Sequence, residues 1–188
     1  MGKIEYIKKA RKEHKCSKCG KVIEVGQPYK KGVINFHPDI VVCNDCTLKP
    51  YEVTTSEYSK NIGSIVEDWS ESYGITDTTA DEIATELESI KDELEDSLEN
   101  IPDNLKEAPT GELLQTRIDQ LEEAIEGLND IDTDSIREEA EEEAENSLDK
   151  EEYESEEEYN TAKDEEADSL YEEKYSEAVD DALSVLEY

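Results

Sequence analysis

Apolar residues in the first quarter of the chain alternate as they do in strands. Val22, Ile23 and Val25, then Tyr29, then Val33, Ile34 and Phe36 are broken by Gly26-Gln27-Pro28 and by Gly32, residues that turn or bend a backbone. A small β-hairpin is expected over residues 21–43. After Pro50 the period changes. Tyr58, Ile62, Ile65, Val66, Trp69 and Tyr73 recur at helical spacing behind Thr54-Thr55-Ser56-Glu57, and Gly74 stops the run. A second stripe opens at Thr78 or Thr79, carries Ile83, Leu87, Ile90, Leu94, Leu98 and Ile101, and ends at Pro102. The third, Leu114, Ile118, Leu121, Ile125 and Leu128, has the spacing of a heptad seam. Helices joined by a loop over 102–111 are expected to pack antiparallel. Each stripe is one seam wide, which implies a slim, coiled-coil-like bundle or helical hairpin.

Beyond Arg137 the stripe thins to Ala140, Ala144 and Leu148, and residues 138–158 hold 13 acids and one lysine. Read as one helix, this stretch opposes itself through like charges at i,i+4. A stripe returns with Tyr159, Ala162, Leu170, Tyr171, Tyr175, Ala178, Val179, Ala182, Leu183 and Leu186. It is expected to dock on the bundle or to pair with a second copy.

Charge sharpens these boundaries. The formal net charge is −34 over 188 residues. Residues 1–50 carry 11 Lys and Arg against 5 Asp and Glu, a net of +6. Residues 51–130 carry a net of −19, and residues 131–188 a net of −21. The expected organisation is a cationic module at 1–50, an acidic bundle at 51–130 and a highly acidic helical tail at 131–188. One Phe, one Trp and one Met argue against a large mixed core. No apolar run approaches the roughly 18 residues of a membrane span. The N-terminus shows neither an apolar signal core nor an acylation pattern. A soluble, cytoplasmic protein without a membrane association is expected.

All four cysteines fall in two pairs, Cys16-Ser-Lys-Cys19-Gly20 and Cys43-Asn-Asp-Cys46. Four soft thiolates are what a tetrahedral zinc ion takes, and the spacing fits a zinc ribbon or treble clef. Gly20 suits the positive φ of a knuckle turn. Two disulfides would need an oxidising compartment, and a redox C-x-x-C would sit in a βαβ unit that this pattern lacks. His14 and His37 are alternative ligands, though four thiolates already close the sphere. The expected cofactor is therefore structural Zn²⁺ on Cys16, Cys19, Cys43 and Cys46. With so few apolar residues, metal binding of order 10 kcal/mol would carry the module's stability. The fold class expected is mainly α with a small N-terminal zinc-bound β module.

Catalysis finds no support: two histidines, no open metal position, no phosphate-cradling Gly-rich loop, no nucleophile elbow, and carboxylates too numerous for any pair to stand out. Three binding readings remain. In the first, the acidic helices mimic nucleic acid and occupy a basic cleft of a partner protein. A helix over 138–158 would present one net charge per roughly 2.6 Å, against about 1.7 Å for duplex DNA; Glu138, Glu139, Glu142 and Glu145, with Tyr153 and Tyr159, would make the contact. In the second, the basic module binds nucleic acid through Lys8, Lys9, Arg11, Lys12, Lys15 and Lys18, the alternative for this run being a solvated arm. In the third, the chain is a scaffold that self-associates through its heptad seams.

Cys16-x-x-Cys19-Gly20, the turn Ile23-Glu-Val-Gly-Gln-Pro-Tyr29, Cys43-x-x-Cys46 and the following Thr-Ser segment together form a specific combination. With Ile101-Pro-Asp-Asn-Leu105 and Thr110-Gly-Glu-Leu-Leu114, it resembles a group of uncharacterised bacteriophage and prophage proteins. These have an N-terminal four-cysteine zinc module and an acidic helical remainder. The resemblance covers residues 10–130 and departs at Lys30-Lys31-Gly32-Val33-Ile34-Asn35-Phe36, where the group often carries basic and aromatic residues. It implies the architecture and, for a phage-encoded chain, the host cytoplasm as location; it implies no activity.

Overall fold

The computed structural model describes residues 2–188, with backbone only at Glu152. The chain is mainly helical with small antiparallel sheets near its N-terminus. It divides into two compact units, residues 1–67 with Tyr188, and residues 68–187, the division falling within one helix. The first unit holds 12 Lys and Arg against 8 Asp and Glu; the second holds 7 against 45.

The first unit carries five strands: β1 (Lys3–Ile7), β2 (His14–Lys15), β3 (Val22–Ile23), β4 (Tyr29–Val33) and β5 (Ile40–Cys43). A three-stranded sheet has the order β1-β4-β5, and β2 pairs with β3 as a separate hairpin. Both pairings in the larger sheet are antiparallel, with Ile7 opposite Tyr29 and Lys31 opposite Val41. The first residues are thus a paired strand, not a solvated arm; Lys3-Ile4-Glu5-Tyr6-Ile7 supplies the β-branched and aromatic residues a strand needs. One side of the sheet meets Leu48 and Val53. Gly32 sits under both, and a Cβ there would collide with Val53. The core is Ala10, Cys16, Ile23, Val42, Cys43, Leu48 and Val53. A 3-10 turn at Pro50–Glu52 leads into α1 (Glu57–Ser72).

The second unit is built on α2 (Thr79–Glu99), α3 (Asp103–Lys106), α4 (Pro109–Asn129), α5 (Thr133–Ser147) and α6 (Glu156–Leu183). Helices α2 and α4 run antiparallel, as expected: Lys91 meets Glu122 at 3.4 Å, while further along α2 Leu98 lies beside Gln115 at the opposite end of α4. Helix α4 packs on both α2 and α6, and Ile118, Leu121, Ile125 and Leu128 are buried, so most of the heptad seam is filled from within the chain. The expected loop at 102–111 contains the single turn α3, and Gly111 packs so tightly on the Lys106 carbonyl that no side chain fits.

The acidic stretch 138–158 is not one helix. It ends at Ser147 and restarts at Glu156. Asp149 caps an intervening 3-10 turn at Lys150–Glu152 by accepting from the Glu151 amide, and Ser155 caps the restart by accepting from the Glu158 amide at 3.2 Å. Folding back lets α5 press Ala140 and Ala144, both fully buried, towards α6. Cations bridge the two helices: Arg137 to Asp168 at 2.7 Å, Lys174 to Glu143 at 3.0 Å and Lys163 to Glu145 at 3.7 Å.

Helix α6 buries Ala167, Tyr171, Tyr175, Val179 and Leu183, each four residues after the last. Its tyrosines act through their hydroxyls. Tyr175 is fully buried, and its oxygen accepts from the Ala80 N–H at 2.8 Å. That amide is one of the first donors of α2, which no intrahelical carbonyl can satisfy. Tyr171 donates to Asp77 at 2.6 Å, and Trp69 Nε1 donates to Asp180 at 2.7 Å. Burial raises the pKa of both tyrosines. Replacing Tyr175 with Phe strands the Ala80 amide and is expected to lower stability by about 1–2 kcal/mol. Urea unfolding followed by circular dichroism checks this, and an unchanged midpoint would refute it.

Candidate metal centre

Two turns deliver the four sulfurs. The first lies between β2 and β3. The Gly20 amide bonds back to the Cys16 carbonyl at 3.0 Å, and the Cys16 amide donates to Lys21 across the turn at 2.8 Å. Gly20 has φ +73°, the left-handed conformation expected of a knuckle. The second turn follows β5, where the Cys46 amide donates to the Cys43 carbonyl at 3.3 Å. Glu52 ties down the exit: it accepts from the Lys49 amide at 2.7 Å and pairs with Lys18 at 2.7 Å.

The sulfurs of Cys16, Cys19, Cys43 and Cys46 all lie within 4.8 Å of one another. Cys16 is 3.8 Å from Cys46, and Cys19 is 3.7 Å from Cys43. A metal–sulfur bond of about 2.3 Å in a tetrahedron sets sulfurs about 3.8 Å apart, which is the spacing observed across both pairs. A disulfide needs about 2.05 Å, and all four cysteines are free. The donor set therefore fits a thiophilic metal ion. Neither histidine joins it: the His14 ring lies against Tyr29, centroids 4.9 Å apart, and His37 sits exposed in the β4–β5 loop.

The metal-free sulfurs divide their protons unequally. Burial pushes the Cys16 thiol up, but the Cys19, Cys43 and Lys18 amides together outweigh it and bring the pKa to about 6. Cys46 is pushed up to about 12, by its side-chain hydrogen bonds to Cys43 and Cys19, by burial and by the charge on Cys16. A metal ion bound at the centre takes its ligands as thiolates, so its binding releases protons.

The remaining candidates are spread over the molecule. Lys8, Lys9, Arg11 and Lys12 line one groove of about 710 Å³ beside the larger sheet. Ala10 explains the arrangement. It is buried, its amide donates to the Gln27 carbonyl, and its carbonyl accepts from Gly26. With Ala10 pinned inward, the four flanking cations point out. Lys15 is exposed on β2, and Lys18 is taken by Glu52; neither lines the groove. Glu138, Glu139, Glu142 and Glu145 are all exposed on α5, whereas Tyr153 is half-buried and Tyr159 buried, their rings edge to face at 5.6 Å. Among the described residues no helix is long and apolar enough to cross a membrane.

The thiolate group is expected to bind one metal ion per chain, with an affinity that weakens steadily from about pH 8 to about pH 6 as protons compete for the sulfurs. Competition with a chromophoric chelator measures this; a pH-independent affinity would refute it. Cys43→Ser is expected to lose the ion and the amide-exchange protection of residues 3–43. Protection in α2, α4 and α6 is expected to remain. No family model, curated protein or solved structure matches the chain, so the chemistry of its own residues carries the functional reading.

Proposed function

We propose that the protein is a non-enzymatic nucleic-acid-binding protein whose zinc-held β module receives phosphates in the groove beside its sheet. The ion is structural zinc: four thiolates at tetrahedral spacing leave no coordination position for water or substrate. The two knuckles, one of them at a hairpin tip, favour the zinc-ribbon or treble-clef type. Free thiols suit a reducing compartment such as the cytoplasm.

The observation that carries this reading is which cations have partners. Lys3 pairs with Glu5, Lys18 with Glu52, Lys21 with Asp45 and Lys31 with Asp39, at 2.7 to 3.1 Å. The Lys30 ammonium donates to the Cys46 carbonyl at 2.8 Å. Among the described residues, Lys8, Lys9, Arg11, Lys12 and Lys15 have no such partner, and the first four line the groove together, with Asp39 there already paired to Lys31. Four clustered unneutralised cations in a chain with 53 acids suit a polyanion that brings its own charge.

A second reading gives the acidic helical unit to a cationic protein surface. The exposure of Glu138 and Glu142 supports it. Against it, Lys174 and Lys163 already hold Glu143 and Glu145, and residues 138–158 do not form a continuous acidic rod, the helix ending at Ser147.

Full-length protein is expected to bind a labelled oligonucleotide with a log–log salt slope of about −3, the value for four cations on a single strand. Changing Lys8, Lys9, Arg11 and Lys12 to Ala is expected to weaken binding by about 100-fold or more at low salt, and Lys21→Ala to leave it unchanged. Fluorescence anisotropy with metal content as the folding control decides. Equal losses for both variants, or no binding by the full chain, would defeat the proposal.

A further inference from the structure

The groove is more than a row of cations. Its floor is the outer face of the β1-β4-β5 sheet. Ile7, Tyr29, Lys31 and Val41 all line it. The register explains why they share a side, since Ile7 is opposite Tyr29 and Lys31 is opposite Val41. Tyr29 and Val41 are only half-buried. Leu48 and Val53 lie over Gly32 on the opposite side of the sheet; on this side Tyr29 and Val41 pack in part against the core and keep the rest of their surface towards the groove. On it the His14 ring leans against Tyr29 at 4.9 Å and 36°, and His14 also lines the groove.

A duplex presents phosphate but hides its bases in the stack. An aromatic pair and two aliphatic side chains beside four cations have nothing to contact on a duplex backbone. They match a strand whose bases are free, where stacking on aromatic rings adds to phosphate contacts. Lys31 fits the same division of labour. Its hydrogen bond to Asp39 raises its pKa and holds it as a neutralised pair on the floor, while Lys8, Lys9, Arg11 and Lys12 stand along the segment at residues 8–12.

We infer that this sheet face is a binding site for single-stranded nucleic acid, in which Tyr29 and His14 stack a base while Lys8, Lys9, Arg11 and Lys12 hold the adjacent phosphates. The inference rests on the proposal that the groove binds phosphate, and adds that it reads the base plane as well.

Three probes of equal length separate the two claims on full-length, metal-loaded protein: a single-stranded oligonucleotide, the same sequence as a duplex, and an abasic strand that keeps the phosphates. The single strand is expected to bind about 10-fold more tightly than the abasic strand, a modest stacking contribution, and more tightly than the duplex. Tyr29→Phe keeps the ring and is expected to keep the preference. Tyr29→Leu and His14→Ala are expected to bring the single strand down to the abasic affinity with metal content unchanged. Should a substitution at Tyr29 cost metal or folding, the abasic comparison on unaltered protein still decides. Equal binding of all three probes would overturn the stacking site and leave the phosphate groove standing; no binding to any probe would overturn both.

Discussion

Four sulfur atoms within 4.8 Å of one another, two pairs of them at the edge length of a metal–thiolate tetrahedron, constrain the β module more than any other contact. The buried cluster around its strands contains seven residues, two of them cysteines, too few to fix strands by burial alone. The first knuckle belongs to the β2–β3 hairpin and the second follows β5. Bringing their sulfurs together locks the separate hairpin to the sheet. The Ser17 amide, donating to the Val41 carbonyl at 2.7 Å, lies along the same junction. The turn that anchors Ala10 runs from β3 into β4, so the placement of the groove cations follows from the thiolate centre without any contact to it.

The helical unit meets a different difficulty. With 45 acids among its residues, repulsion works against every helix. Its scarce cations are spent between helices, where Arg137 reaches Asp168 and also lies 3.8 Å over the Tyr171 ring. Buried tyrosines add hydroxyls that find a helix-start amide and a carboxylate. Exposed ion pairs are each worth about 0–1 kcal/mol. The apolar stripe and the buried hydroxyl bonds therefore hold this unit, and the cations mainly relieve repulsion.

Much of this was legible in the sequence, because the signals were local. Two C-x-x-C pairs name their own ligands, and the stripes of α2 and α4 place helices and pairing alike. What was hidden depended on tertiary placement. Strand β1 was masked by the lysines around it. The break at Leu148 is followed by a 3-10 turn capped by Asp149 and a helix start capped by Ser155, local bonds whose weight against a helix-favouring glutamate run is not visible from composition. The burial of Tyr159 follows from α5 folding back on α6. In the groove, sequence found Lys8, Lys9, Arg11 and Lys12 as a run but grouped Lys15 and Lys18 with them. It singled out neither Tyr29 nor His14, whose meeting requires two different sheets to come together.

The groove cations bear on selection rather than stability. The structure shows how readily this chain pairs a surface lysine: Lys3, Lys18, Lys21 and Lys31 each have a carboxylate within 3.1 Å. A carboxylate beside Arg11 or Lys12 would change folding free energy by less than about 1 kcal/mol, so the fold neither demands nor forbids one. Four adjacent positive charges, left open on a half-apolar sheet face, instead raise the local concentration of anions at that face. A strongly acidic remainder makes this focusing selective. On the proposed function, that acidic surface would repel polyanions, and a bound strand would be directed to the groove.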